Sequence, residues 1–180
     1  MNFLEDDTII LRPLELSDAE GDYPNWLNDM ETSKGNSHHR FPYSRDEARE
    51  YIQNARVSEN DVILAIVEKD SGKHIGNISL LEICWFSHSA KFAILVGEST
   101  ARGKGIGIRA GKLILEHGFT SLNLHRIYCG TYGTNIAMNS LAKKLGMTLV
   151  GTLRESAYKD GQYLDENLFD ILRPEYLAKA

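Results

Sequence analysis

Apolar residues in this chain fall into short runs with two different spacings, and glycines and polar turns mark the boundaries between them. One succession organises the rest. Phe92 to Val96 is an unbroken apolar run with aromatic and β-branched members, stopped by Gly97, which predicts a central strand. Gly103, Gly105 and Gly107 then alternate with Lys104 and Ile106 in a tight turn. Beyond it Ile106, Ala110, Leu113 and Ile114 share one helical face, so residues 91–119 read as strand, glycine turn and amphipathic helix.

The other segments follow in order. Thr8 to Leu11 predicts a first strand, and Ser17-Asp18-Ala19-Glu20 has the pattern of a capping box opening a helix that Pro24 keeps short or broken. Trp26-Leu27-Asn28-Asp29 leads into a polar run from Gly35 to Tyr43. Ser44 and Glu47 form a second capping box, followed by Ala48, Tyr51, Ile52 and Ala55 at helical spacing. Val62 to Val67 and His74 to Ile83 predict a hairpin, and the second of these strands pairs with the central one across the turn Trp85 to Ser89. Arg126 to Thr131 is a further strand, and Asn135 opens a helix whose inner face is Met138, Leu141, Ala142 and Leu145, with Gly146 as its stop. Strands near Leu149 to Arg154 and Leu164 to Leu172 close the chain around the turn Lys159-Asp160-Gly161-Gln162. With no internal repeat or linker, the expectation is one α/β domain over residues 1–180.

Composition narrows the classes. A chain of 180 residues with 42% hydrophobic content can bury a substantial single core. No 18-residue apolar run exists and the start MNFLEDDTII is acidic, so no membrane segment and a cytoplasmic location are expected. A net charge of −5 argues against a broad nucleic-acid-binding surface and suits a cationic acceptor. Cys84 and Cys129 lie in apolar runs without metal-type spacing to each other or to the six histidines, which predicts two buried free thiols and no metal.

Alternating glycines before a helix let successive amides converge on one anion, and the helix N-terminus adds partial positive charge, an arrangement suited to phosphate. The turn is neither a six-residue dinucleotide fingerprint nor a P-loop ending in Gly-Lys-Ser/Thr. Arg102, Gly105 and Gly107 match the pattern R/Q-x-x-G-x-G/A. On this motif, on LNLHRIY at 122–128, on Asn135 with Lys144-Leu145-Gly146-Met147, and on YKDGQYLDENLFDIL at 158–172, the chain resembles the GNAT N-acetyltransferases. The matching branch contains ribosomal-protein N-terminal, polyamine and amino-sugar acetyltransferases, and the likeness covers about residues 8–172.

The resemblance implies a mixed, mostly antiparallel sheet of six to seven strands, helices on both faces, and a V-shaped splay between two central parallel strands. It implies acetyl-CoA as co-substrate, with no metal. The pyrophosphate would rest on the amides of Arg102, Gly103, Lys104, Gly105, Ile106 and Gly107, with the Arg102 and Lys104 side chains available to it. The pantetheine arm would pair with backbone groups around Leu95 and Val96 and with Asn135, which can also serve as a helix N-cap. Glu82 aligns with a glutamate of polyamine enzymes and is the candidate base, the alternative being a solvated charge on a strand face; His88 in the next turn is a second candidate. Two positions depart from the family: Lys91 stands where many relatives have an acid, and Ala142 where many have a tyrosine acting as general acid. Ser140, Tyr132 and Asn139 lie nearby, and Asp165 could meet the acceptor or hold a neighbouring loop. The acceptor implied is a primary amine of a small molecule, an amino sugar or polyamine. The alternatives are the N-terminal α-amine of a protein, which needs an open groove for a peptide, and a CoA-binding sensor without turnover. A homodimer is left open.

Overall fold

The computed structural model describes residues 2–178. Eight strands form one sheet: β1 (Leu4–Glu5), β2 (Ile9–Pro13), β3 (Val62–Glu68), β4 (His74–Cys84), β5 (Ser89–Val96), β6 (Arg126–Tyr132), β7 (Thr148–Lys159) and β8 (Gln162–Leu172). Their order across the sheet is β1-β2-β3-β4-β5-β6-β8-β7, and every neighbouring pair is antiparallel except β5 and β6. The extra strand relative to the sequence expectation is the two-residue β1, too short to leave a period in the sequence.

Helices α1 (Tyr23–Asn28), α2 (Met30–Ser33), α3 (Arg45–Val57), α4 (Ile106–Thr120), α5 (Ile136–Lys144) and α6 (Arg173–Leu177) complete the chain. Alternation along β3 divides the core in two. Leu64 and Ile66 point to a large cluster with Ile106, Ala110, Ile114 and Phe119 of α4 and Ala142 of α5. Ala65 and Val67 point the other way, to Tyr23, Trp26 and Leu27 of α1 and Ala48 and Ile52 of α3. Among the described residues this second apolar layer contains none from β6, β7 or β8, so it does not extend over their face on that side.

Two expectations are corrected. The box expected at Ser17 is instead made by Glu15 and Asp18, and it opens a 3-10 turn, Leu16–Glu20, before α1. Asp18 is drawn inward there, accepting from Arg12 Nη1 at 2.8 Å and Nη2 at 2.7 Å and lying 3.3 Å from His74 Nδ1. Cys84 is exposed, because it follows an irregularity in β4 and borders the turn; Cys129 is buried, which pushes its thiol up to about 12. The box at Ser44 and Glu47 forms as the sequence predicts, but only Ala48 and Ile52 of the α3 stripe are buried.

Candidate active site

The site begins where β5 and β6 separate. They pair at Ser89–Arg126, Ala90–Ile127 and Lys91–Tyr128, and no further pairs follow. On its other side β5 stays hydrogen-bonded to β4 as far as Val96. From Phe92 to Val96 one edge of a central strand is therefore open, five residues or roughly 17 Å at ~3.3 Å per residue. An extended ligand with amide groups can bind such an edge as an added strand.

At the end of this edge the chain turns through Gly103, with φ of 75°, and Gly105, with φ of 80°, into α4. Only glycine adopts these left-handed conformations without strain. The first amide bonded within α4 is that of Arg109, to the Gly105 carbonyl at 3.2 Å, so the N–H groups of Ile106, Gly107 and Ile108 precede the helix's own ladder. These amides can meet an anion; the amide of Arg102, which the sequence reading also places under the pyrophosphate, instead donates to the Ser99 carbonyl at 3.2 Å. Gly107 plays a different part from the other two glycines: it is helical, and a Cβ there would touch Leu141 of α5 at 3.4 Å.

The Arg102 side chain departs from the expectation. Its guanidinium turns back onto the strand end, donating to the Val96 carbonyl at 3.1 Å, the Gly97 carbonyl at 2.9 Å and Thr32 Oγ1 at 2.7 Å. Three acceptors outcompete solvent for a donor fork, so Arg102 braces the end of β5 against α2, while Lys104 is exposed. The Val96 carbonyl is thereby taken, which leaves Leu95 and the residues before it as the freer part of the edge. Gly97 is held from the opposite side, where a Cβ would overlap the Trp26 ring.

Asn135 does two jobs. Its Oδ1 caps α5 by accepting from Met138 N–H at 3.0 Å, and its Nδ2 donates to the Gly35 carbonyl at 2.8 Å. The polar run from Gly35 to Tyr43 is also fixed by Lys159 Nζ to the Asn36 carbonyl at 3.0 Å and by Arg40 Nη2 to the Tyr158 carbonyl at 3.1 Å. It thus runs from α2 to the β7–β8 hairpin and is tied to both α5 and that hairpin. Phe41 of this run is 84% exposed, whereas Trp26 of α1 is buried in the second layer.

Glu82 sits at the register shift between Leu81 and Cys84, with φ of 54°; its amide donates to Asp61 Oδ1 at 2.9 Å and its carboxylate lies 3.8 Å from Lys91 Nζ. Lys91 is the last β5 residue paired with β6, which puts Glu82 beside the apex of the splay. The Glu82 side chain is 66% exposed. His88 lies beyond the apex, where its carbonyl accepts from His125 and Arg126 and it lines a cavity of about 340 Å³ with Ser87, Asn123, Leu124, His125 and Arg173. The structure therefore separates the two sequence candidates.

Ala142, on the inner face of α5, is fully buried. Asn139 is spent on structure, donating to the carbonyls of Tyr132 and Asn135 and accepting from Asn167. Asp165 holds a neighbouring strand, accepting from the Glu155 amide at 2.8 Å inside the β7 irregularity. Its neighbour Glu166, which sequence reasoning passed over, instead lies against Gly130 of β6: a Cβ on that glycine would overlap Glu166 Oε1.

A strand edge opened by a splay, followed by a glycine cradle at a helix N-terminus, defines an acyl-CoA-binding fold. Residues 8–148 match the family described as the acetyltransferase (GNAT) domain, and the chain belongs to that family. It is an N-acetyltransferase with acetyl-CoA as co-substrate. Among similar proteins are a spermidine N(1)-acetyltransferase of Escherichia coli (strain K12), 27% identical over 96% of this chain and 90% of its own, and one of Vibrio cholerae, 30% identical over 77% and 80%. The solved structure of the Vibrio cholerae spermidine N-acetyltransferase in complex with CoA and spermine superposes with a TM-score of 0.86 at 26% identity, covering 96% of this chain and 99% of that one.

Proposed function

We propose that the protein transfers the acetyl group of acetyl-CoA directly to a primary amine of a small molecule, with polyamines ahead of amino sugars. The observation that carries this reading is the splay itself, with a carboxylate on each of the strands that flank the parted pair: Glu82 on β4 beside Lys91, and Glu166 on β8 beside Gly130. Similarity to spermidine acetyltransferases over nearly the whole chain supports the polyamine class. The loop is pinned at Gly35, Asn36 and Arg40 to α5 and the β7–β8 hairpin, which supports a small acceptor over an extended peptide.

Direct transfer needs the amine and thioester aligned, the amine neutral and the developing oxyanion stabilised. A lysine-type amine has a pKa of about 10.4, so its ammonium form must lose a proton before attack. Glu82, beside the apex and next to Lys91, is the proposed acceptor of that proton; His88 carries no part of the proposal. With no tyrosine at position 142, the departing thiolate takes its proton from water, which its pKa of about 8.5, if it resembles cysteine, permits.

The test is CoA release, followed with a thiol reagent, across polyamines, amino sugars, nucleotide-linked amino sugars and short peptides with free N-termini. Release with polyamines supports the reading; release with peptides alone would replace it. Acetyl-CoA binding with no release across the panel would point to a sensor. For Glu82→Gln the expected result is a fall in kcat/KM of about 10²-fold near neutral pH, the low end for loss of a general base. An unchanged rate removes Glu82 from that role.

A further inference from the structure

Among the described residues no cation is paired with Glu166, a carboxylate of β8. Its place follows from register: in the antiparallel ladder Glu166 is opposite Tyr132, Leu168 is opposite Gly130 and Asp170 is opposite Tyr128. These alternate residues share one face of the sheet, and Lys91, paired with Tyr128, puts the last bonded residue of β5 on it too. It is the face that the α1–α3 layer leaves uncovered beyond β5.

Two features distinguish Glu166 from its neighbours. Asp170 is neutralised by Arg126 Nε at 2.7 Å, and that guanidinium also lies 4.7 Å from the centre of the Tyr128 ring. The Glu166 carboxylate accepts instead from Ser156 Oγ, at 3.5 Å. The carboxylate is half-buried and occupies the space above Gly130, which a side chain at that position would fill. Gly130 belongs to β6 two residues past Tyr128, where the strand has parted from β5. A half-buried carboxylate without a cation is a costly group to keep, and a cationic ligand removes that cost.

We propose that Glu166 anchors a protonated amine of the acceptor above Gly130, across the splay from Glu82, so that a molecule with two or more amino groups is held by one while another is acetylated. This inference rests on the small-amine reading above. It identifies the acceptor as a polycation whose distal ammonium sits on β8.

The experiment measures steady-state CoA release by the full chain with a polyamine as acceptor, for the wild type, Glu166→Gln and Gly130→Ala. Glu166→Gln removes the charge at constant shape. Gly130→Ala keeps the carboxylate but pushes its flexible end off the site, since the three heavy atoms nearest the new Cβ all belong to the side chains of Glu166 and Leu168. Both variants are expected to raise the KM for the polyamine at least tenfold, with the KM for acetyl-CoA within twofold of wild type. The rise of polyamine KM with salt should be shallower in Glu166→Gln, since one screened attraction is gone. Thermal melts establish that both variants are folded. Polyamine turnover by the wild type with unchanged KM values in both folded variants would overturn the anchoring role while leaving the acetyltransferase reading intact. Wild type for which no polyamine elicits CoA release, and which binds none in its CoA-loaded form, would overturn both the anchoring role and the polyamine reading on which it rests.

Discussion

Asp18→Ala is expected to lower the free energy of unfolding by about 3–5 kcal/mol, as breaking a buried ion pair from one side does. Asp18 is 6% exposed and holds four donors or donor-bearing groups: both terminal nitrogens of Arg12, the Glu15 amide at 2.8 Å, and His74 Nδ1. Without it the Arg12 guanidinium stays under the 3-10 turn with its main partner gone. His74 cannot compensate, because its Nε2 is engaged with the Gly76 carbonyl at 2.9 Å and Asn77 Oδ1 at 2.8 Å. The His74 ring packs edge-on against Trp26, which covers Gly97 at the end of β5, so the loss should reach the site as well as the fold. Denaturant unfolding at pH 7 measures the first effect.

The same group makes stability acid-sensitive in a defined direction. Burial opposes ionisation of Asp18, but the hydrogen bonds from Arg12, His74 and Glu15 outweigh it and hold the carboxyl well below the usual carboxylate range. A folded pKa below the unfolded value, about 3.9, means that the contribution is complete above that pH and is lost as pH falls towards the folded value. Between pH 5 and pH 2.5 the wild type should therefore lose more stability than Asp18→Ala. Equal losses would show that Asp18 is not linked to folding in this way.

How far the sequence reaches depends on whether the determining interaction is local. The succession from Phe92 through Gly107 to Ile114 is legible because each step is a local requirement: an apolar run too short for a buried helix, φ above zero at Gly103 and Gly105, then a 3.6-residue stripe. The Ser44 cap is legible for the same reason, since both its partners lie within three residues. Asn135 is half legible: the cap to Met138 is local, whereas the bond to Gly35 joins residues 100 apart. Arg102 illustrates the limit. Its position in the motif is read directly, but the direction of its side chain depends on Thr32, 70 residues away, being brought beside it by α2. Glu166 lies wholly beyond that limit. Its meeting with Gly130 is set by the β6–β8 register, and nothing in the order Leu164-Asp165-Glu166 shows which carboxylate faces the splay and which ties down β7.

Gly105→Val should raise the Kd for acetyl-CoA at least tenfold while leaving the rest of the molecule folded. Gly105 caps α4 with φ of 80° and ψ of 4°, where an L-residue costs ~1–2 kcal/mol and a β-branched one is a marked outlier. Space is not the obstacle, because the nearest heavy atom to a Cβ is Ile108 Cγ2 at 3.8 Å. Relief of the strain requires the backbone to rotate, and rotation there turns away the amides at the start of α4 that would otherwise converge on phosphate. Gly107→Ala is the matching control. Its backbone is helical, its Cβ would meet a flexible Leu141 methyl at 3.4 Å, and a helical alanine gains up to about 1 kcal/mol over glycine. It should therefore bind acetyl-CoA as wild type does and melt no lower. Titration calorimetry of the three proteins with acetyl-CoA separates the possibilities: equal affinity in Gly105→Val would mean that the cradle is not where the pyrophosphate binds, and a loss in Gly107→Ala alone would move the close approach of the ligand to the second residue of α4.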